Sequence, residues 1–353
     1  MTTFRCSRHL SRSALAAGIL VTACLHPPAE SASSSPVRSA AANGPSSVPT
    51  GPYVWKNVTI LGGGFVTGVI FSPAEKDLVY ARTDVGGAYR WSPSANQWIP
   101  ITDMFGRDDN NFLGIESIAP DPVDPNKVYM AVGTYTASWA GKGALLRSND
   151  RGNSWQRTDI PFKNGGNENG RSTGERMAVD PNLPSILFFG TRKAGLWKSV
   201  DSGVHWNSVD FPIKEEPLGV GIAFVAFNAK SGASGKATPV LYAGVAIPGA
   251  GLYRSTDAGE TWKAVPGQPA GLMPSHGGFD SSGILYLSYG NLPGPSDVTN
   301  EAVWKHDPKN ERCRPSSPAW ERIAPAGAAR SPPTPAQTGL RLPPSLLGAA
   351  AQE

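Results

Sequence analysis

Cysteine is nearly absent: the 353 residues hold three, Cys6, Cys24 and Cys313. The first two stand in an N-terminal leader, so at most one remains in the folded part. No disulfide framework can form, and no Cys/His spacing suits a zinc ion, so neither a metal nor another cofactor is expected. Charge is sparse as well, with 17% Asp, Glu, Lys and Arg and a formal net charge of +4. No Lys/Arg cluster runs through the ordered part, which gives nucleic acid no footing as a partner. Long apolar periodic stretches are few, and the one clear apolar run, Ala14 to Leu25, is too short for a comfortable membrane span. Abundance lies elsewhere, in 40 glycines, 33 prolines and 10 tryptophans. Such a composition points to many short strands and turns, held by burial and hydrogen bonding alone.

The length leaves room for one large or two ordinary domains. Residues 1–32 read as an export signal, with Arg5, Arg8 and Arg12 ahead of the apolar run. Val21-Thr22-Ala23-Cys24 also suits lipoprotein processing at Cys24, against ordinary cleavage near Ala29–Ala32. The expected location is therefore extracellular, with a lipoprotein on the cell envelope as the alternative. Residues 33–52 are rich in Ser, Ala and Pro and read as a disordered linker. Residues 53–310 carry a repeat. Residues 311–353 change composition to Pro, Ala, Arg and Ser and read as an aberrant or disordered tail.

The repeat is an eight-residue box. Ser148-Asn149-Asp150-Arg151-Gly152-Asn153-Ser154-Trp155 has the form Ser-x-Asp-x-Gly-x-Ser/Thr-Trp. Ser255-Thr256-Asp257-Ala258-Gly259-Glu260-Thr261-Trp262 repeats it. Ser199-Val200-Asp201-Ser202-Gly203-Val204-His205-Trp206 repeats it with His205 at the hydroxyl position. The copies lie roughly fifty to fifty-six residues apart, the range of propeller blades. In this Asp-box the Asp caps backbone donors of a hairpin turn, the Gly supplies positive φ, and the Trp packs on the sheet. Asp150, Asp201 and Asp257 are thus structural. Each box follows strand-like runs, which predicts an all-β propeller of four-stranded antiparallel blades. About five blades are present, beginning near Thr67, Ile115, Glu175, Val220 and His276. Trp91 to Trp98 is a decayed box in the first blade. Trp55-Lys56-Asn57-Val58 matches the fourth-strand pattern and is expected to close the ring. Trp320-Glu321-Arg322-Ile323 is the candidate last strand of blade five.

This register places Asp84. By itself Asp84-Val85-Gly86-Gly87 reads as a tight turn whose aspartate accepts backbone N–H bonds. In the blade register it lies between strands two and three, at the end opposite the boxes. That face also receives Thr134–Lys142, with Tyr135 and Trp139, and the interblade loops Asp103–Gly114, Lys163–Arg176 and Pro266–Gly278 with His276. Long loops converging on one face of a rigid scaffold are where function concentrates. Tyr135, Trp139, Arg176 and His276 are the candidate substrate contacts, the aromatics by stacking on sugar faces. A sialidase would need three arginines there, and the spacing of Arg82, Arg107, Arg171 and Arg176 gives that reading no support. A non-catalytic propeller binding a glycan or protein is the competing class.

Several unlinked motifs agree in order: Gly62-Gly63-Gly64-Phe65-Val66-Thr67-Gly68, Tyr80-Ala81-Arg82-Thr83-Asp84-Val85-Gly86-Gly87-Ala88-Tyr89-Arg90-Trp91, Gly133-Thr134-Tyr135-Thr136, Gly174-Glu175-Arg176 and Ala302-Val303-Trp304-Lys305. Over about Tyr53 to Lys309 the chain resembles glycoside hydrolase family 74, the xyloglucanases. The resemblance implies two seven-bladed propellers with the glucan in the cleft between them, a monomer, and inverting hydrolysis of β-1,4-glucosidic bonds by two aspartates. Asp84 would be the general base; the general acid would come from the second propeller. Two blades of the first propeller and the whole second one have no counterpart here. Glu311, Glu321 and Glu353, the carboxylates of the tail, stand in unrelated context. The expectation is that the chain alone hydrolyses xyloglucan poorly or not at all.

Overall fold

The computed structural model describes residues 60–309 and 312–316. Within them twenty strands form five four-stranded antiparallel sheets, each a meander in chain order. Blade one is β1 (Val66–Phe71), β2 (Val79–Thr83), β3 (Ala88–Ser92) and β4 (Gln97–Pro100). Blade two is β5 (Ile115–Pro120), β6 (Val128–Val132), β7 (Ala144–Ser148) and β8 (Gln156–Asp159). Blade three is β9 (Met177–Val179), β10 (Leu187–Gly190), β11 (Leu196–Ser199) and β12 (Asn207–Ser208). Blade four is β13 (Ile222–Phe227), β14 (Leu241–Val245), β15 (Leu252–Ser255) and β16 (Lys263–Ala264). Blade five is β17 (Met273–Phe279), β18 (Leu285–Gly290), β19 (Glu301–His306) and β20 (Arg314–Pro315). The five-bladed reading of the sequence is borne out.

The second strands show why the pattern works. Val-Tyr-Met-Ala-Val of β6 is buried at every position. A strand covered on both faces by neighbouring sheets reads as a continuous apolar run rather than an alternating one. The outermost strands have fewer neighbours, and β8 accordingly reads Gln-Arg-Thr-Asp and stays mostly exposed. Four apolar clusters fill the seams between consecutive blades. The seam of blades three and four holds Phe188, Phe211, Ile222, Leu241, Tyr253 and Trp262. Burying one such large side chain is worth about 1.5–3 kcal/mol.

The boxes fold as expected. The Ser148 hydroxyl donates to Asp150 Oδ1 at 2.7 Å and accepts the Gly152 N–H at 2.7 Å. The Ser154 hydroxyl donates to Asp150 Oδ2 at 2.6 Å. In the third box His205 Nδ1 takes the hydroxyl's place, 2.6 Å from Asp201 Oδ2. The three box glycines have φ of +85°, +79° and +86°. In the decayed box Trp91 and Trp98 meet edge to face at 5.5 Å. In the first three blades the residue before the box also ties one blade to the next. Arg90 Nη1 donates to Arg151 O at 2.8 Å, Arg147 Nη1 to Gly203 O at 3.1 Å, and Lys198 Nζ to Ala258 O at 3.1 Å.

One expectation about the ends changes. The fourth strand of blade five is Arg314–Pro315, which pairs with Trp304 and Lys305. It takes the place for which Trp320–Ile323 was the candidate. Both Trp320–Ile323 and the ring-closing Trp55–Val58 lie outside the described residues, as do the export signal, the linker and most of the tail.

Candidate active site

The turn from Thr83 to Gly87 is built without the Asp84 side chain. Thr83 N donates to Gly87 O at 3.0 Å, the Thr83 hydroxyl donates to Gly87 O at 2.8 Å, and Gly86 N donates to the Thr83 hydroxyl at 2.8 Å. Blade three forms the same turn from Thr191 to Gly195, with a hydroxyl-to-carbonyl bond of 2.8 Å and an Ala194 N–H bond of 2.8 Å. There the residue after the threonine is Arg192. One turn thus accepts either sign of charge at that position, so Asp84 is not required by its own turn.

The carboxylate instead reaches across the blade. Asp84 Oδ1 accepts the Phe65 N–H at 2.8 Å, and Arg171 Nε lies 3.3 Å from Oδ2. Asp84 is 6% exposed, sunk at the loop-bearing end of the blade. The glycine motif before β1 explains how the chain comes so near. A Cβ on Gly86 would sit 1.7 Å from Gly63 O, so residue 86 must lack a side chain. Gly64 has φ of +91°, and a Cβ there would lie 3.0 Å from Asp84 Oδ1. Glycines are used where backbone approaches backbone or takes positive φ.

Behind the carboxylate lies a buried ionic layer joining blades one to three. Arg82 Nε donates to Glu175 Oε1 at 2.7 Å, and its Nη atoms donate to Thr67 Oγ1, Arg171 O and Thr173 O at 2.7–2.8 Å. Glu175 Oε2 accepts the Ser117 hydroxyl at 2.6 Å and Ile118 N–H at 2.9 Å. Glu116 sits at the bulge of β5 and takes Arg176 Nε at 2.7 Å, Arg192 Nε at 2.9 Å and the Gly165 N–H. A bulge re-aims the extra residue out of the ladder, which here points Glu116 between two arginines. Burial pushes the Glu116 carboxyl up, but Arg192 and Arg176 outweigh it and hold the group ionised.

The predicted contacts divide. Trp139 is 74% exposed, with its ring 5.2 Å from that of Tyr135. Asn167 Nδ2 donates to the Tyr135 hydroxyl at 2.6 Å, and Lys163 Nζ donates to the Ala137 and Ser138 carbonyls at 2.6 and 3.0 Å. Glu168 accepts the Thr136 N–H and hydroxyl. This aromatic pair is therefore held on a pinned loop. Arg176 is different: it is 1% exposed, and its Nη1 donates to Val220 O and Ile222 O at 2.7 and 2.6 Å. Its guanidinium is consumed by the protein, so its expected role as a substrate contact gives way to a structural one. His276 was expected in an interblade loop and lies instead within β17, at the strand's bulge. Among the described residues no group of three or more His, Cys, Asp or Glu is placed to hold a metal. Arg171, Glu116, Glu168 and the Phe65 amide are contributors that sequence reading did not assign. The Gly-rich segment around Asn164 to Arg171 was the one signal for two of them.

His276 is sunk deep in the protein yet keeps a partly accessible edge, with Ser288 Oγ 3.3 Å from Nδ1. Burial, then the Arg82 charge, push its imidazole down to about 4. An unfolded histidine titrates near 6.5, so between those values unfolding takes up a proton. That stability is fully present above pH ~6.5 and is lost as pH falls toward about 4. Asp257, held down to about 2 first by the Thr261 hydroxyl, acts in a separate and more acid window. Urea midpoints should therefore fall between pH 7 and pH 5, and His276→Gln should flatten that fall. An unflattened curve would remove His276 as the linked group.

No family model matches the chain. A xyloglucanase of a Paenibacillus species is 51% identical over 294 residues, 79% of this chain and 28% of the relative. A xyloglucanase of Acetivibrio thermocellus is 51% identical over 72% of this chain and 32% of its own length. The crystal structure of a family 74 xyloglucanase from Xanthomonas campestris superimposes with a TM-score of 0.70 at 50% identity, over 76% of this chain and 40% of that one. The chain spans about a third of the length of the curated relatives it matches. At about half identity over more than two thirds of its length, the chain belongs to glycoside hydrolase family 74.

Proposed function

We propose that the chain carries the general-base half of an inverting xyloglucan hydrolase, with Asp84 as the base. The observation behind this is the Asp84 carboxylate itself, spared by its own turn and bound at Oδ1 by a distant amide. The contact to Oδ2 is an ion pair at 3.3 Å rather than an aligned hydrogen bond, which leaves that oxygen able to accept a proton from water. In inverting hydrolysis the base takes that proton while the water attacks the anomeric carbon from the face opposite the leaving group. A second carboxyl group, roughly 6.5–9.5 Å away, protonates the departing oxygen. The relatives named xyloglucanases supply the substrate class, a β-glucan bearing xylosyl branches. The same reading includes export by the N-terminal segment and action as a monomer. Among the described residues no helix is long and apolar enough to cross a membrane.

A glycoside with a 2,4-dinitrophenyl leaving group departs without protonation, so it interrogates the base alone. The chain is expected to release dinitrophenol from such a xyloglucan oligosaccharide, with inversion, and to cleave unactivated xyloglucan far more slowly. No release above the spontaneous rate would defeat the proposal.

The exposed Tyr135–Trp139 pair supports glycan binding whether or not turnover follows. Losing one stacking ring costs about 0.5–1.5 kcal/mol. Trp139→Ala should therefore weaken xyloglucan retention in affinity electrophoresis by roughly threefold to tenfold. Unchanged mobility would take Trp139 out of the site.

A further inference from the structure

We infer that Arg171 is the positioning residue of the Asp84 carboxylate, and that Arg82 of the same motif serves to hold Arg171 there. The inference rests on the base role of Asp84. Arg171 comes from the loop between β8 and β9, on another blade. Its guanidinium approaches Oδ2 at 3.3 Å and lies 5.6 Å from the ring centroid of Phe65, the residue whose N–H holds Oδ1. The two oxygens are thus engaged from two sides, by groups that also touch each other.

The support for Arg171 returns to the motif. Arg171 N donates to Glu168 O at 3.0 Å. Arg171 O and Thr173 O accept from Arg82 Nη1 and Nη2, each at 2.8 Å. Arg82 is 1% exposed, stands two residues before Asp84, and is locked by Glu175 and Thr67. One strand end therefore carries both the carboxylate and the clamp on its partner. A carboxylate held at both oxygens cannot swing about its terminal bond, so its free lone pair keeps one direction toward the attacking water. Small misplacements of a catalytic group are costly, near a hundredfold for about 1 Å.

The test uses the full chain and two readouts. Amide hydrogen exchange at Phe65 reports the hold on Oδ1 without needing turnover. Arg171→Gln should speed it about twofold to fivefold, the loss of roughly one partly exposed ion pair. On the dinitrophenyl glycoside the same variant should lower kcat about tenfold or more at near-constant KM. Arg171→Lys, which keeps the charge, should restore part of both. Arg171→Met, neutral and of similar reach, serves where Gln disturbs folding. Phe65 exchange at the wild-type rate in the neutral variants would overturn the inference. Faster Phe65 exchange with turnover unaffected by both Arg171→Gln and Asp84→Asn would leave the brace standing and reject the base role of Asp84.

Discussion

Asp84→Asn is expected to lower turnover of the dinitrophenyl glycoside by about 10²–10⁴-fold, the usual worth of one general base. Asparagine has nearly the same shape, and its carbonyl oxygen can keep the Phe65 N–H bond of 2.8 Å. It cannot take a proton from water at neutral pH. The loss should appear in kcat, with KM close to that of the native chain, because the carboxylate acts on water rather than on the sugar's resting contacts. Since the Thr83 to Gly87 turn bonds through Thr83 and backbone groups, the substitution should leave the melting temperature within a degree or two. Turnover within about threefold of native would assign the base elsewhere.

Glu116→Gln is expected to cost about 3–5 kcal/mol of folding stability, the price of leaving a buried charge without its partner. Here two arginines with side chains 1% exposed, Arg176 and Arg192, lose their shared carboxylate, and Arg192 keeps only Glu168 at 3.9 Å as a charge partner. Glutamine preserves volume and can still accept the Gly165 N–H, so the loss isolates the charge. Denaturant unfolding reads it, and the melting point should drop by roughly 10 °C for a domain of this size. A double substitution, Glu116→Gln with Arg192→Met, should be milder than the sum of the singles, because each removes the other's stranded partner. A cost below about 1 kcal/mol would show that the layer is neutralised by another group. The effect should also reach the site, since Arg192 Nη1 donates to Asn169 O at 2.8 Å, two residues before Arg171.

The blades were legible because their signals are local. A box closes its own hairpin, and an apolar run between two turn signals fixes most strands of the first four blades within a residue or two. Asp84 could be placed by counting strands, without any contact being known. Arg176 misled because a charged residue in a Gly-rich segment looks solvated. Its true partners, Glu116 and the Val220 and Ile222 carbonyls, come from other blades. Nothing short-range in a sequence marks an arginine for burial. His276 misled for a related reason: Pro274, Gly277 and Gly278 resemble a loop, whereas the bulge between Pro274 and His276 lets a strand contain them. Arg314–Pro315 carries no strand pattern at all and is defined solely by the neighbour it pairs with.

The bonds from Arg90, Arg147 and Lys198 to the box of the following blade use one donor position and nearly one acceptor position in three successive seams. These three seams therefore repeat one cross-blade bond. A duplication or deletion of about fifty residues in the gene, in phase with the boxes, would create a new seam that already holds this bond. The Arg82–Arg171–Asp84 assembly has no such repetition: it joins the end of β2 to the one loop between β8 and β9, so a blade inserted between them would break it.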